Sequence, residues 1–442
     1  MPRVVRETLL SVRDLMATMG PFLLLIVAAL AAAWWWLDPT PPRHVVLATG
    51  PEDSPYAAFG KQYAAELKGY GIEVQLRPTR GSGENLLLLH DTNNKVDFGF
   101  VQGGSSEFAA KLDQRHGETA LVSLGSLFYE PVWLFYRADK AKAAPRQLAQ
   151  LKGWRVNVGA LGSGSPGLMS KLLAANLMER DDFVRSSDAE TPAVQKLLAG
   201  ELDAMVLVSA PESPLVQMLL QTPGIRLFEF MQAEAYARRY PFISPVVLPR
   251  GVADLARDVP PRDEPLIATT TSLVAREGTH PALVQLFTQA AARIHGRASW
   301  MARAGQFPSA ERTEFPLAAE AARYYRNGPP FMQRYLPFWL ANVIDRMWVA
   351  LFSIIAILIP VSRVVPPLYR LRIRRRVYRW YRNLRRIEDQ AADGSVPAKD
   401  LLADLDKLDA RAAHVALPLA YTEELYALRQ HIGLVRARLQ QR

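Results

Sequence analysis

Residues 44–104 read HVVLATGPEDSPYAAFGKQYAAELKGYGIEVQLRPTRGSGENLLLLHDTNNKVDFGFVQGG and repeat one succession of elements three times. Each time, a short apolar run leads through a loop of small or turn-forming residues into a helical stretch. The strands are predicted at 44–49, 73–76 and 96–101. Because strands that alternate with helices build parallel sheets, the segment predicts an α/β fold.

The alternation continues and then restarts after residues 143–145. Two successive α/β lobes of similar size predict a cleft between them, and ligands of open α/β sheets lie beyond the carboxyl ends of the strands. The further predicted elements are strands at 121–126, 132–136, 155–158 and 202–208 and helices at 167–178 and 191–199.

Three loops share one chemistry, because each places glycine and serine where a strand ends and a helix begins. Backbone N–H groups at a helix N-terminus favour an anionic group such as a carboxylate. Arg77 or Arg80 is a candidate bidentate partner for such a group. Glycine and serine are also ordinary capping residues, so each loop alone has a purely structural interpretation. The loops are Gly81-Ser82-Gly83, Gly103-Gly104-Ser105 and Gly162-Ser163-Gly164.

Two apolar segments flank this region. Residues 15–37 carry no charge, follow three arginines and end in three tryptophans, which predicts a membrane span with a cytoplasmic N-terminus. A cleaved signal peptide is the alternative. Residues 347–362 form a second uncharged run, for which a buried core helix is the alternative. Ten arginines and no acid lie between positions 363 and 386, which indicates a cytoplasmic C-terminal side.

The net charge of +10 at first suggests nucleic-acid binding. Its distribution removes that interpretation, because residues 38–345 contain 32 basic and 32 acidic side chains. Residues 363–442 contain 17 basic and nine acidic side chains. The basic character therefore belongs to the tail beside the second span, where a lipid bilayer is the predicted partner and nucleic acid is not.

Catalytic chemistry finds little support in the sequence. The absence of cysteine excludes thiolate metal sites and cysteine nucleophiles. The histidines have no H-x-x-x-H spacing, and no G-x-S-x-G nucleophile elbow is present. We therefore expect a protein that is not an enzyme, with no catalytic residue, no metal and no cofactor.

The blocks T-x-GS-x-EN at 79–85 and VD-x-GFVQGG at 96–104, with VGALGSGSPG and LAG-x-LDAM further on, carry a resemblance. They resemble the TAXI family, the solute-binding subunits of TRAP transporters, over residues 44–300. The resemblance implies a two-lobed periplasmic-binding-protein fold of type II. It also implies a small ligand in the interlobe cleft, such as a carboxylate, dicarboxylate or acidic amino acid.

By position in these motifs and in the loops above, we predict thirteen ligand-binding residues. One departure from the family counts against an anionic ligand, because the first loop, residues 50–55, contains Glu52 and Asp53. The predicted residues are Ser54, Tyr56, Arg77, Thr79, Ser82, Glu84, Asn85, Gln102, Gly103, Gly162, Ser163, Gly164 and Ser165.

The tail carries its own helical pattern. Apolar residues spaced by three and four between 373 and 387, and leucines at 401–408 and 425–434, predict a helical hairpin turned at 416–418. Its arginine-flanked stripe suits either anionic lipid headgroups or partner helices. We expect an α/β two-lobed protein in the bacterial inner membrane, flanked by two transmembrane helices, with its binding domain in the periplasm. It captures a ligand for TRAP-type transport or, alternatively, senses it and relays lobe closure to the tail.

The predicted domains are a cytoplasmic N-terminus at 1–18, a transmembrane helix at 19–37, a first lobe at 44–130 and 245–330, a second lobe at 131–244, a transmembrane helix at 345–366 and a cytoplasmic basic helical tail at 367–442.

Overall fold

The computed structural model describes residues 3–37, 41–116, 119–329, 331–336, 338–394, 396–413 and 422–440. Two compact units are formed, one by Met1–Pro39 with Asn342–Arg442 and the other by Thr40–Ala341. The helices are α1 (Arg3–Leu37), α2 (Pro55–Lys68), α3 (Ser82–His90), α4 (Ser106–His116), α5 (Ser165–Ala175), α6 (Glu190–Ala199), α7 (Pro214–Gln221), α8 (Ala233–Arg239), α9 (Pro281–His295), α10 (Ala319–Asn327), α11 (Phe338–Asp393), α12 (Ala398–Ala413) and α13 (Thr422–Gln440). The strands are β1 (His44–Ala48), β2 (Glu73–Arg77), β3 (Phe98–Gln102), β4 (Leu121–Arg137), β5 (Arg155–Asn157), β6 (Val184–Ser186), β7 (Ala204–Val208), β8 (Ile225–Leu227), β9 (Ser244–Leu248) and β10 (Glu264–Arg276).

The strands of the Thr40–Ala341 unit form one sheet in the order β2-β1-β3-β10-β4-β7-β5-β6, with β8 beside β4 and β9 beside β10. At one end β1 pairs in parallel with β2 and β3, and at the other β5 pairs in parallel with β6 and β7. The long strands β4 and β10 run antiparallel to each other and connect these two groups. The α/β class predicted from the sequence is confirmed.

Strand β4 is continuous where the sequence suggested two strands. Its residues up to Pro131 pair with β10, whereas Val132 to Tyr136 pair with β7. Pro131 therefore falls where the partner strand changes. Because proline has no N–H to donate, it is tolerated at a position where the ladder of one partner ends.

Each group of strands has its own apolar core. In the first lobe, Phe98 and Phe287 stack with ring centroids 4.0 Å apart, and Tyr63 packs against the same ring. In the second, Trp133 and Phe135 lie at the centre of a separate cluster. Each such side chain stabilises the fold by about 1.5–3 kcal/mol through removal of apolar surface from water. Two separate cores define two lobes, which are joined by β4 and β10.

In the other unit, the end of α11 packs with α12 and α13 around Leu384, Leu405 and Leu428. An ion pair between Arg429 and Asp409, 3.0 Å, links α13 to α12. Leu434, expected in this core, is exposed. The predicted turn at 416–418 lies outside the described residues.

Among the described residues, the stretch Phe352–Leu371 within α11 has the length and composition of a membrane span, and α1 holds a shorter apolar run, Met19–Trp35. Only 6% of the Phe352–Leu371 window is buried, which argues against the alternative of a core helix. The second of the two predicted spans remains a prediction.

Candidate functional site

A cavity of about 180 Å³ lies between the two lobes. The first lobe contributes the loops that follow β1, β2 and β3, together with one side chain of β4. The second lobe contributes the loops after β5 and β7 and the start of α6. Parallel strands end at the same edge, which brings these loops together. The polar side chains lining the cavity are Asp53, Ser54, Tyr56, Arg80, Ser82, Gln102, Glu130, Asn157, Ser163, Ser165, Glu190, Thr191 and Ser209.

Of the thirteen residues predicted to bind ligand, seven line this cavity. Both lobes contribute to that group, so the cavity is a meeting point for loops far apart in the sequence. The seven are Ser54, Tyr56, Ser82, Gln102, Ser163, Gly164 and Ser165. The other six, Arg77, Thr79, Glu84, Asn85, Gly103 and Gly162, are not in its lining.

Thr79 and Asn85 bind protein groups beneath the cavity. The Asn85 amide donates to the carbonyls of Thr49 (2.7 Å) and Phe100 (2.9 Å) and accepts from the Thr79 hydroxyl (2.7 Å). Both side chains are buried. They join the ends of β1, β2 and β3 and so fix the loops that carry Ser54, Ser82 and Gln102.

Arg77 and Glu84 also have partners within the protein. Arg77 donates to Asn94 Oδ1 (3.1 Å), and Glu84 Oε2 accepts from the backbone N–H of Arg80 (2.8 Å). Arg80, the alternative cationic candidate, lines the cavity.

The predicted anion-binding loop at 103–105 is filled by a carboxylate of the chain itself. Glu314 Oε2 accepts from the backbone N–H groups of Gly104 (2.7 Å) and Ser105 (3.0 Å). Gly103 and Gly162 line a second cavity, of about 250 Å³, which also contains the side chains of Leu87 and Phe108.

The sequence analysis missed the most buried charged group of the site, Glu130. Its side chain is 3% exposed, and Oε2 accepts from the Tyr56 hydroxyl (3.0 Å), which lies 3.2 Å from Thr271 Oγ1. Burial raises the pKa of Glu130 to about 7 and that of Tyr56 well above its usual value. An acid inside an otherwise apolar strand, directly before a proline, was the available signal.

A second missed acid, Glu190, faces the same cavity from the first turn of α6. Desolvation raises its pKa to about 7, and the nearby charge of Asp53 acts in the same direction. Asp53 Oδ2 accepts from the Thr191 hydroxyl (3.0 Å), so a hydrogen bond crosses from the first lobe to the second.

Two buried polar atoms of the cavity lining have no hydrogen-bond partner within the described ranges. They are Nε2 of Gln102, a side chain 4% exposed, and Oγ of Ser209, 2% exposed. A buried donor left unpaired costs free energy, and such atoms in a polar cavity are the groups a ligand binds. The site therefore has hydrogen-bonding capacity that the protein does not use itself.

The lobes are in direct contact around the cavity. Glu84 N donates to the Gly162 carbonyl (3.3 Å), and Lys171 Nζ donates to the Gly104 carbonyl (2.8 Å). Gly83 permits this approach, since a Cβ there would lie 2.9 Å from the Gly162 oxygen. The structure thus shows the closed arrangement of the two lobes.

Comparison with known proteins follows from this architecture. Residues 47–327 match the model of the NMT1-like family. A search of curated proteins returns no match.

Among solved structures, the chain is similar to the periplasmic aliphatic sulphonate binding protein SsuA from Escherichia coli, at 16% identity over 57% of this chain and 73% of that one, with a TM-score of 0.36. It is also similar to PhnD1 from Prochlorococcus marinus in complex with methylphosphonate, at 14% identity over 58% and 85%, with a TM-score of 0.38. An ancestral arginine-binding protein bound to arginine matches at 13% identity over 59% and 96%, with a TM-score of 0.37.

Proposed function

The chain belongs to the NMT1-like family, and from this premise we propose that it is a membrane-tethered solute-binding protein. It captures a small ligand between its lobes outside the cytoplasm and is not an enzyme. The enclosed cavity supports this function most directly, because both lobes line it and two of its buried polar atoms are unpaired within the described residues. Closure of two lobes around a ligand is the conformational event of such a protein.

The cavity suits a small metabolite that carries a carboxylate. Its volume of about 180 Å³ lies below the roughly 300–1,000 Å³ typical of pockets for drug-sized ligands. The Gln102 amide N–H, the hydroxyls of Ser82 and Ser163 and the guanidinium of Arg80 supply donors for an oxyanion.

Native mass spectrometry of the full-length protein, released from detergent as purified, tests this proposal. We expect a small molecule retained in the wild-type protein and absent from Ser163→Trp, whose indole would fill the cavity. Leu255→Trp is the control, because Leu255 is 87% exposed and outside the cavity lining. Retention of the molecule by Ser163→Trp would place the binding site elsewhere.

Two destinations for the captured ligand follow from the sequence. In the first, the ligand passes to a TRAP-type transporter in the same membrane. In the second, closure is relayed to the helical tail, and the continuity of α11 from Phe338 to Asp393 favours this route. Hydrogen exchange of the full-length protein distinguishes them. A relay requires ligand-dependent protection in α12 and α13, whereas delivery to a transporter requires none.

A further inference from the structure

The charges around the interlobe cavity are unbalanced. Asp53, Glu130 and Glu190 line it on the acidic side, and Arg80 is the basic residue of the lining. Within the described ranges, neither Glu130 nor Glu190 forms an ion pair with a lysine, arginine or histidine of the chain. A dicarboxylate would therefore add two negative charges to a cavity whose own charge is already negative, and like charges in a desolvated site repel.

The two acids approach the cavity from opposite lobes. Glu130 belongs to β4, the strand that joins the lobes, and Glu190 belongs to the first turn of α6 in the second lobe. Their electrostatic interaction is close enough that Glu190 adds to the elevation of the Glu130 pKa. A positively charged group placed between them would favour the ionised form of both carboxyls.

The unpaired Gln102 and Ser209 atoms show independently that this cavity is built for a ligand. Gln102 follows β3 in the first lobe, and its amide N–H groups are donors that need an acceptor. The cavity thus offers donors for an oxyanion and carboxylates for a cation.

We propose that the ligand carries a nitrogen cation, such as a protonated amine or guanidinium, which binds at a subsite formed by Glu130 and Glu190 with Asp53 at its rim. The inference rests on the proposed solute-binding function and assigns the second half of the ligand. The carboxylate faces Gln102, Ser82 and Arg80, and the cation lies between the acids. The ligand is therefore zwitterionic or cationic and not a simple dicarboxylate.

Four probes separate these classes in the full-length protein. 4-Aminobutyrate and glutarate differ only in the exchange of an amine for a carboxylate, putrescine carries amines alone, and L-arginine presents a guanidinium. We expect 4-aminobutyrate or L-arginine to bind at least tenfold more tightly than glutarate in isothermal titration calorimetry at pH 8. Tighter binding of glutarate would overturn this inference and leave solute binding intact.

The pH dependence of the dissociation constant gives a second criterion. The groups facing the two carboxyls are Tyr56 on α2, Asp53 and Arg80 in the first-lobe loops and the carboxyls themselves; the adjoining β7 side chains are uncharged. Since both pKa values are about 7 and an alkylammonium stays protonated below about pH 10, affinity for a cation should rise about tenfold per carboxyl from pH 6 to pH 8. An affinity that falls over this interval would overturn the inference, because protonated carboxyls would then be donating to an anion.

Glu190→Gln provides the matched variant, because it removes the charge and keeps the shape at the start of α6. We expect at least a tenfold loss of affinity for the cationic probe, with glutarate binding unchanged or improved. Glu201→Gln, an exposed acid just beyond α6 and outside the cavity, is the control. Equal binding by Glu190→Gln and wild type would overturn the subsite. No saturable binding by any probe, together with no retained molecule in native mass spectrometry, would overturn solute binding itself.

Discussion

The buried amide of Asn85 shows how one residue sets the geometry of the site without lining it. Its side chain is fully buried and joins the carbonyls that end β1 and β3 to the hydroxyl of Thr79. The thirteen residues predicted from the sequence therefore divide by role. Residues such as Ser82 and Ser163 lie in the cavity wall, whereas Asn85 and Thr79 hold that wall in place.

Asn85→Ala should destabilise the protein by about 2–4 kcal/mol, because it leaves buried carbonyls of Thr49 and Phe100 without their donors. Chemical denaturation of the full-length protein in detergent measures the change. Asn93→Ala on the neighbouring exposed turn is the control and should cost less than about 0.5 kcal/mol. Equal stability of the two variants would contradict the role assigned to Asn85.

Glu130 should make stability depend on pH in a defined window. Its pKa rises from 4.5 to about 7 on folding, so the folded state holds the proton more tightly than the unfolded state. This stabilisation is present below about pH 4.5, is lost as pH rises to about 7 and is absent above it. Relative to Glu130→Gln, the wild type should thus lose about 3 kcal/mol between pH 4.5 and pH 7.5. Parallel unfolding midpoints of the two proteins across this range would contradict the prediction.

At the scale of elements, periodicity located the first-lobe strands and helices well. The stretch at 73–76 is strand β2, and the helix expected at 56–68 is α2. These elements carry strong local signals, namely β-branched runs and the Ser54-Pro55 start of α2, where the Ser54 hydroxyl accepts from Ala57 N. Where local signals and long-range pairing coincide, the sequence alone was sufficient.

Long-range pairing explains what the sequence did not reveal. Pro131 suggested a break in a strand that is in fact continuous, because the change of partner from β10 to β7 is a tertiary event. Glu130 was missed for the same reason, since an acid before a proline is read as a loop until both flanks are seen to be strand. The Gly103 loop looked like an anion site, and only the fold brings Glu314 to fill it from 210 residues away.

Lobe closure depends on the start of α3, where Gly83 lies against the Gly162 carbonyl. Gly83→Ala places a Cβ 2.9 Å from that oxygen and should hold the lobes apart. We expect about a tenfold weaker ligand affinity with little change in unfolding midpoint, since the closed state becomes less populated. Gly167→Ala on α5 is the control, because nothing lies within 4 Å of its Cβ position. Unchanged affinity in Gly83→Ala would show that closure tolerates the added atom.

At the scale of the whole molecule, charge reports orientation and the cavity reports the ligand. The Thr40–Ala341 unit contains the binding site and lies in the electrically balanced middle of the chain. The arginines between 363 and 386 lie within α11, at and beyond the Phe352–Leu371 stretch. A protein anchored by both ends cannot diffuse to a distant transporter, so its ligand must be used in the same membrane.

Reporter fusions test the orientation directly. We expect fusions after residues 12, 200 and 400 to report cytoplasm, exterior and cytoplasm, because arginines precede the apolar run of α1 and follow that of α11. A cytoplasmic signal at residue 200 would contradict both the topology and the proposed capture of an external solute. N-terminal sequencing of the purified protein distinguishes an anchor from a cleaved signal peptide. An intact N-terminus keeps both tethers, whereas a start after the tryptophans at 34–36 leaves α11 as the sole anchor among the described residues.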